Sequence, residues 1–501
     1  METRKEFYIT TPIYYVNDKP HIGHAYTTIL ADVLARFHRA TGEEVFFLTG
    51  LDEHGQKVQQ AAQKRALSPQ AHCDDLAPRF IQLWEKLHIQ YDDFIRTTEV
   101  RHVQVVQNVL QKVYELGDIY ADEYEGWYSI AEERFITERE KESGQFREVK
   151  KLKERNWFFR MGKYQERLII YIEQHPEFIL PPHHRNEILG FLRQPLGDLC
   201  ISRPKSRMSW GIDLPFDGDY VTYVWFDALL NYVSVPGFTA HEKNFLKWWP
   251  ADIHLLGKDI LTTHAVYWPT MLFSLGLPLP KTIFAHGWWL TGETKMSKSL
   301  GNVVNPLDLI EQYGVDPLRY YLMREMVLGQ DANFTLESFI KRYNSDLAND
   351  FGNLLNRVSG LIAQNFGGIV PEPCALSSED EQIKIMGEVL DGNVQKLIKE
   401  LCVHEAIEEV MIFIRRVNTY LEKQAPWKVV KENLQRAGTI LYVSTEALRL
   451  SAVLLIPVMP QKSRAVLEVL GAVGSKANWG ELKPATQLQS HPALFPRIEI
   501  K

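Results

Sequence analysis

Two histidines at the start of a helical pattern are the first residues whose type and spacing could do chemistry. His21 and His24 enclose Gly23, just after Pro20 and before an apolar run. At the amino end of a helix, free backbone N–H groups and the helix dipole favour an anion. Gly23 lets a phosphate or an adenine ring approach the backbone closely. The pattern favours a nucleotide, while core packing and a metal site with His54 as third ligand stay open.

A second pair of cationic residues lies far along the chain, in GETKMSKSLGN at 292–302. Two residues separate Lys295 from Lys298, and glycines bound the segment that holds them. This pattern is typical of a mobile loop that can place two ammonium groups on a polyphosphate. A solvated basic loop is the alternative. The loop follows AHGWWL at a predicted strand end, and this position favours phosphate binding.

The elements around these residues predict a parallel α/β sheet. Residues 7–16 alternate and are rich in β-branched and aromatic types, 22–37 have helical apolar spacing, and 43–50 form a second strand pattern. Strand, helix and strand at this spacing are typical of a doubly wound sheet. Further strands of this sheet are predicted in DYVTYVWFDA, ADIHLLGKDI and KTIFAHGWW. The sheet is therefore predicted to be split by an insertion.

The predicted strand ends carry small, polar or charged residues. They are Thr11–Pro12, Asp52, Asp227, Asp259 and His286. In parallel α/β sheets, ligands sit off the carboxyl ends of the strands. We therefore expect one site at this edge of the sheet, assembled from both sides of the insertion.

The domain organisation follows from changes in composition and in hydrophobic periodicity along the chain. The inserted stretch is polar and β-rich, and from about residue 341 a three-to-four-residue apolar spacing predicts an antiparallel helical bundle. The predicted domains are 1–117 and 216–290 for the two halves of the nucleotide-binding domain, 118–215 for the inserted module, 291–340 for the lysine loop and a linking α-β segment, and 341–501 for the bundle.

Composition excludes several protein classes. A chain of 501 residues with 45% hydrophobic and 24% charged residues is typical of a multidomain globular protein. The start lacks the features of a signal peptide, and no apolar run approaches the ~20 residues of a membrane span, so we expect a cytoplasmic protein without a membrane partner. The four cysteines are far apart, which argues against a zinc knuckle and a disulfide framework. The net charge of −7 does not indicate a partner.

The two cationic motifs carry a family resemblance. HIGH at 21–24 and KMSKS at 295–299 resemble the paired motifs of class I aminoacyl-tRNA synthetases, and their occurrence together in this order is highly specific. Nearly the whole chain resembles the methionyl-tRNA synthetase family, in TTPIYYVNDKPHIGHAY, FLTGLDEHGQK, YVWFDALLNY, HLLGKDILTTHAVYWP and KQAPWK. The resemblance implies a doubly wound parallel nucleotide-binding sheet split by an inserted module and followed by an all-α bundle. It also implies a ligase that converts methionine and ATP to methionyl-adenylate and pyrophosphate, and then transfers methionine to tRNA(Met).

The resemblance also implies a methionine site. Its residues would be Ile13, Tyr15, Asp52, Trp225, Ala228, Tyr232, Ile260 and His264. Asp52 would pair with the methionine ammonium group. A thioether is apolar and polarizable, so aromatic and aliphatic walls suit it. Trp268 could be a further wall or a core residue.

An ATP site is implied by the same resemblance. Its residues would be Gly23, Gly257, Asp259, Lys295 and Lys298, with Asp259 on the ribose hydroxyls. The methionine carboxylate is already an anion at neutral pH, so its attack on the α-phosphate needs positioning and charge neutralisation rather than a base. His21, His24, Lys295 and Lys298 are the expected catalytic residues. Mg²⁺ is expected to bridge the phosphates.

The inserted module departs from the family pattern. Many members carry zinc knuckles there, but Ser129 and Glu132 stand where the first cysteine pair would be, and no second pair follows. We therefore expect no structural zinc. Trp127, Tyr128, Phe135, Trp157 and Phe158 are expected to hold the module by packing.

The resemblance also implies that the helical bundle binds the CAU anticodon of tRNA(Met), and that the acceptor end of the tRNA enters the catalytic part. Asn353 and Arg357 are i, i+4 neighbours, and Trp427 follows Pro426 at a break between helices, where its indole could stack on an unpaired base. Core packing is the alternative for Trp427. The sequence ends without a further oligonucleotide-binding domain, so we expect a monomer.

Other protein classes share some of these features. Synthetases for leucine, isoleucine and valine carry a larger editing insertion than 118–215 could hold, and the cysteine enzyme uses zinc ligands that this sequence lacks. Nucleotidyltransferases that activate small metabolites share the histidine motif but not a long helical bundle. A degenerate synthetase that only binds tRNA would have lost motif residues, and His21, His24, Asp52 and both lysines are intact.

Overall fold

The computed structural model describes residues 5–16, 20–129, 134–136, 138–142, 148–292, 294–295 and 304–499. These residues fall into two compact units. Unit 1 comprises residues 1–20 and 38–286, and unit 2 comprises 21–37 and 287–501.

The strands are given in chain order. They are β1 (Glu6–Tyr15), β2 (Glu44–Asp52), β3 (Asp93–Arg96), β4 (Ile119–Ser129), β5 (Arg134–Ile136), β6 (Val149–Phe159), β7 (Ile179–Leu180), β8 (Leu199–Cys200), β9 (Ser202–Pro204), β10 (Asp213–Leu214), β11 (Asp217–Thr222), β12 (Ile253–Gly257), β13 (Thr282–His286), β14 (Trp289–Thr291), β15 (Thr294–Lys295) and β16 (Ala332–Asn333). The first thirteen belong to unit 1 and the last three to unit 2.

The helices are numbered in the same way. They are α1 (Ile22–Ala40), α2 (Gln56–Lys64), α3 (Pro69–Lys86), α4 (Val100–Glu115), α5 (Glu138–Glu142), α6 (Gln165–Gln174), α7 (Pro182–Leu192), α8 (Val224–Leu229), α9 (Asn231–Ser234), α10 (Glu242–Trp248), α11 (Trp268–Leu275), α12 (Pro306–Tyr313), α13 (Val315–Glu325), α14 (Leu336–Arg342), α15 (Asn353–Phe366), α16 (Ser378–Lys399), α17 (Val403–Gln424), α18 (Pro426–Val429), α19 (Leu434–Leu455) and α20 (Pro460–Val469). Short 3₁₀ turns cover Met161–Tyr164 and Lys258–Ile260, and π-helical segments cover Thr263–Tyr267 and Tyr343–Gly352.

Unit 1 is built around a six-stranded sheet of order β3-β2-β1-β12-β13-β7. Every neighbouring pair is parallel. The strand order reverses between β1 and β12, and the crevice at the carboxyl ends of such a pair is where doubly wound sheets bind ligands. The prediction of a parallel sheet split by an insertion is confirmed.

One predicted strand of this sheet is wrong. In DYVTYVWFDA, β11 pairs antiparallel with β9 and β10 in a separate small sheet, and Val224–Leu229 forms α8. Asp227 therefore lies on a helix and not at a strand end. A short apolar run cannot be assigned to strand or helix by periodicity alone, which explains the error. Two real strands, β3 and β7, were missed because they have only four and two residues.

The inserted stretch contains the predicted β-rich module. Strands β5, β4, β6 and β8 form an antiparallel sheet in that order. Tyr128 and Phe158 are buried in it, while the side chain of Phe135 lies outside the described residues. Strand β7, from the same stretch, pairs with β13 of the central sheet. The domain boundaries given above stay predictions.

Unit 2 contains the predicted helical bundle. Helices α16, α17 and α19 carry apolar residues at helical spacing, and their buried faces pack against one another. Among the described helices, α19 alone is long and apolar enough to cross a membrane, and 89% of its most apolar window is buried inside the protein. Such burial is typical of a core helix.

Candidate functional site

The two motif histidines have fixed orientations at the start of α1. The helix begins at Ile22, so His21 precedes it and His24 lies in its first turn, as predicted. The rings stack with centroids 3.8 Å apart. His21 Nδ1 accepts a hydrogen bond from the Gly23 N–H at 3.1 Å, and His24 Nδ1 accepts one from the His21 N–H at 3.3 Å. Because both Nδ1 atoms are acceptors, the proton of each neutral ring lies on Nε2, and an N–H group is the kind of donor that an anion accepts from.

Gly23 is required by this arrangement. A Cβ atom built on Gly23 would lie 2.9 Å from His21 Cε1 and 3.1 Å from His21 Nδ1. The ring could stay in place only if position 23 has no side chain. The first turn also contains no acidic residue that would repel an anion.

The strand that leads to the lysine loop contacts the helix of the histidines within unit 2. In β14, Trp289 packs edge-on against Tyr26 of α1, with ring centroids 5.9 Å apart. The next residue, Leu290, pairs with Lys295 across the β14–β15 ladder. The side chain of Lys295 and all of Lys298 lie outside the described residues, so their contact with phosphate stays a prediction.

A buried ion pair that sequence reasoning missed holds α1 in unit 2. Arg319 Nη2 donates to Asp32 Oδ2 at 2.6 Å, and neither side chain is exposed. The same guanidinium donates to the carbonyl oxygens of Pro457 and Val458 at 2.8 and 2.9 Å. The partners are 287 residues apart in the chain, and no local pattern connects them. The ion pair ties the helix of the histidines to α13 and to the end of α19.

The strand ends of unit 1 bring together several predicted site residues. Tyr15 and Asp52 are directly paired at the ends of β1 and β2. A Cβ on Gly257, at the end of β12, would lie 2.7 Å from Asp259 Oδ1 and 3.6 Å from His286 Cε1. The close approach of Asp259 therefore requires glycine at 257. These residues stand at the switch point of the sheet, where a nucleotide was predicted.

Four predicted methionine-site residues also lie together in unit 1. His264 Nδ1 lies 2.9 Å from the carbonyl oxygen of Ile260, which can only accept, so this nitrogen carries the proton. Nε2 then accepts from the Tyr232 hydroxyl at 2.8 Å. Burial lowers the pKa of His264 to about 4. Trp225 packs edge-on against this imidazole with centroids 6.3 Å apart. The imidazole of His264 is thus neutral at neutral pH and both of its nitrogens are hydrogen-bonded, which suits an apolar ligand.

The remaining residues of that prediction are placed as follows. Ala228 is buried on α8, and Ile13 and Tyr15 are partly buried against the same apolar core. Trp268 is fully buried, and its indole N–H donates to His254 Nε2 at 3.2 Å, so it is a core residue rather than an exposed wall.

Metal binding by the histidines gains no support. His54, the third ligand of the metal alternative, donates instead from Nδ1 to Asp227 Oδ2 at 2.7 Å. In the part of the chain that the structure describes, no group of three or more His, Cys, Asp and Glu residues could hold a metal ion. Ser129 is buried in β4, whereas Glu132 lies outside the described residues. The expected absence of zinc in the module stays a prediction.

The three predicted anticodon residues of unit 2 line one surface cavity of about 650 Å³, together with Leu361 and Glu422. The Arg357 guanidinium lies 5.4 Å from the centre of the Trp427 ring and 3.0 Å from Glu422 Oε2. Trp427 is half-buried at the cavity wall and is not a core residue. Leu361 follows Arg357 at helical spacing and could have been predicted, whereas Glu422 comes from another helix.

The peptide that carries Trp427 has an unusual backbone. Ala425 adopts a φ of 42°, in the left-handed region, and ends α17. Pro426 then starts α18 with a preset φ. The sharp break between these helices turns the indole toward the cavity instead of into the bundle.

Comparison with known proteins identifies the family. The family model described as tRNA synthetases class I (M) matches residues 7–145 and 142–359, and that of the anticodon binding domain of methionyl tRNA ligase matches 370–494. The methionine–tRNA ligases of Caldanaerobacter subterraneus subsp. tengcongensis and Thermotoga maritima are each 44% identical over 510 residues, covering 99% of this chain and 80% and 81% of the relatives. The chain belongs to the methionyl-tRNA synthetase family.

A solved member of the methionyl-tRNA synthetase family has the same fold. The Mycobacterium tuberculosis methionyl-tRNA synthetase in complex with methionyl-adenylate matches with a TM-score of 0.93 and 39% identity, covering 98% of this chain and 100% of that one. The fold implied by the sequence resemblance is confirmed.

Proposed function

We propose that this chain joins methionine to tRNA(Met) in two steps. In the first, a methionine carboxylate oxygen bonds to the α-phosphorus of ATP, and the bond from that phosphorus to the β-phosphate oxygen breaks to release pyrophosphate. In the second, a hydroxyl of the terminal tRNA ribose attacks the carbonyl carbon of methionyl-adenylate, and AMP leaves. Membership of the methionyl-tRNA synthetase family supports this activity.

The observation that carries the proposed chemistry is the pair of oriented imidazole donors on α1. Each Nδ1 accepts a hydrogen bond from a backbone N–H, so the orientation of each ring is held and its proton lies on Nε2. Preorganised donors of this kind stabilise charge that develops in a transition state. We assign His21 and His24 to the phosphates, joined there by Lys295 and Lys298. The contact between Tyr26 and Trp289 supports this assignment, because it ties the histidine helix to the strand that leads to the lysines.

Methionine would be held at both ends. The carboxylate of Asp52 suits the ammonium group, and it is 94% buried, which strengthens such a pair. The neutral wall of Trp225, Tyr232 and His264 suits the thioether, because it presents no charge to an apolar sulfur. At the end of β12, on the other side of the sheet switch point, Asp259 is proposed to bind the ATP ribose. Gly257 is proposed to belong to the same site, because only a residue without a Cβ atom allows Asp259 to lie so close to the backbone.

Magnesium is proposed to arrive on ATP. Mg²⁺ keeps several waters and is usually bound through substrate phosphates and few carboxylates. The described residues hold no cluster that could form a protein cage for it. Charge neutralisation on the phosphates is the chemistry it would supply.

Recognition of tRNA is proposed for the cavity of Asn353, Arg357 and Trp427. A half-buried indole offers a stacking face for an unpaired base, and the neighbouring guanidinium adds a cationic group beside it. The family match of residues 370–494 to an anticodon-binding domain supports this role. A monomeric state and a cytoplasmic location remain proposals.

Pyrophosphate exchange tests the proposed function. The protein is incubated with ATP, labelled pyrophosphate and each amino acid in turn, and exchange dependent on methionine is expected. A tRNA(Met) transcript with CAU and one with a changed first anticodon base then test the second step. Exchange without an amino acid, or with another amino acid, would overturn the proposal, as would tight tRNA binding without exchange.

A further inference from the structure

Asp227 is the centre of a buried cluster in unit 1 that the reaction chemistry above does not use. It is fully buried on α8, between Trp225 and Ala228 of the proposed methionine site. Its Oδ2 accepts a hydrogen bond from His54 Nδ1 at 2.7 Å, and its Oδ1 accepts one from His102 Nε2 at 2.8 Å. Both oxygens of a carboxylate without solvent contact are thus held by imidazoles.

The two histidines come from different elements. His54 follows Asp52 by two residues at the carboxyl end of β2. His102 is fully buried on α4, and its Nδ1 lies 2.8 Å from the hydroxyl oxygen of Ser234 on α9. The cluster therefore links four elements, and one of its arms begins next to the residue assigned to the methionine ammonium group.

The hydrogen bonds around Asp227 fit a charged carboxylate. Burial works to raise the pKa of Asp227, but the charges and hydrogen bonds of His54 and His102 outweigh it, so the pKa lies below its usual range. An ionised carboxylate only accepts, so both imidazoles must direct an N–H at it. Such a bridge is directional and resists sliding of α8 along the end of β2.

We propose that Asp227 is a positioning residue for methionine, which fixes the distance between Asp52 and the α8 residues Trp225 and Ala228. This inference rests on the proposed function of the site. Asp52 would bind the ammonium end of methionine, and α8 would contact its thioether end. The length of the pocket is therefore set by the bridge from His54 to Asp227, with His102 holding the carboxylate from the other side.

The first test is D227N, which keeps the shape of the side chain. An amide has one acceptor oxygen, so one imidazole N–H would face an NH₂ group and the bridge would fail on one side. We expect the KM for methionine in pyrophosphate exchange to rise about tenfold or more, with the KM for ATP unchanged.

D118N is the matched control. Asp118 is 98% buried and is also held by several groups, since it accepts from Lys163 and Ser274 at 2.6 and 2.8 Å and from the Tyr164 hydroxyl. It lies at the start of β4, and no part of the proposed methionine site contacts it among the described hydrogen bonds. We expect D118N to lower the melting temperature without changing the KM for methionine.

Amide substitutions of the histidines give a second, crossed test. The nitrogen of asparagine stands near the position of Nδ1, and that of glutamine near the position of Nε2. His54 binds Asp227 through Nδ1 and His102 binds it through Nε2. We therefore expect H54N and H102Q to retain a KM for methionine near that of the unchanged protein, and H54Q and H102N to raise it. A purely structural role would lower stability without this crossed pattern.

The outcomes separate this inference from the proposed function. If the unchanged protein shows no methionine-dependent exchange, the proposed function fails. If exchange depends on methionine but D227N leaves its KM within about twofold, or D118N raises it equally, the positioning role is overturned. Should D227N not fold, the four histidine variants decide, and an identical KM in all four overturns the role.

Discussion

Replacing Gly23 by alanine should separate the stability of α1 from its chemistry. The new Cβ would lie 2.9 Å from His21 Cε1, whereas carbon atoms in contact prefer about 3.5–4.0 Å. The ring must therefore move by roughly 1 Å, and a displacement of that size can reduce a rate by about 100-fold. The move also breaks the hydrogen bond from the Gly23 N–H that fixes the tautomer of His21.

The same substitution should not weaken the helix. Alanine is favoured over glycine by up to about 1 kcal/mol in a helix, and the backbone at position 23 is not left-handed. We expect G23A to melt at the same or a slightly higher temperature. Its kcat for methionine-dependent pyrophosphate exchange should fall about 100-fold, with a much smaller change in the KM for methionine, because the lost donor acts on phosphate.

A matched glycine serves as control. Gly392 lies in the exposed part of α16, and a Cβ built there meets no atom within 4 Å. G392A should raise the melting temperature slightly and leave the exchange rate unchanged. The reasoning is refuted if G23A retains near-normal kcat, or if its rate falls only in proportion to a loss of folded protein.

Three further results are expected. W427A and R357A should reduce charging of tRNA(Met) by about 10- to 100-fold, in line with the stacking of one base. Pyrophosphate exchange, which does not need tRNA, should stay unchanged. An equal loss in both assays would contradict a role in tRNA binding. Burial lowers the pKa of His264 to about 4 in the folded chain, so the unfolded state binds more protons between about pH 6.5 and 4. The free energy of unfolding, measured by urea titration, should therefore fall on acidification through that range. The fall should be smaller in H264N. EDTA should abolish pyrophosphate exchange, and added Mg²⁺ should restore it, without a change in the melting temperature of the protein. If EDTA lowers the melting temperature and only Zn²⁺ reverses this effect, the protein holds a structural metal.

The sequence correctly predicted the elements that are long enough to show a clear hydrophobic periodicity. The prediction was wrong or missing where a segment is short. Strands β1, β2, β12 and β13 are long enough for their composition to identify them. By contrast, the stretch that holds Asp227 was assigned to a strand, because its apolar residues satisfy both a helical and an extended pattern. That error placed Asp227 at a strand end, although its role depends on two imidazoles that come from other elements.

The candidate sites show the same limit. Motif residues such as His21, Asn353 and Arg357 could be found because a local spacing identifies them. Ion pairs between residues far apart in the chain could not be predicted in this way. The pair of Arg319 and Asp32 is the clearest example, since neither residue is unusual in its own segment. Open alternatives were settled by burial: Trp268 is a core residue, and Trp427 lines a cavity.

A crystal structure with ATP and methioninol, a methionine analogue that lacks the attacking carboxylate, would show whether imidazoles and ammonium groups from distant parts of the chain act on one triphosphate. We predict that Nε2 of His21 and His24 and the side-chain nitrogens of Lys295 and Lys298 all lie within about 3 Å of phosphate oxygens. A triphosphate bound by only one of these pairs, or held away from both, would show that the two pairs do not act together.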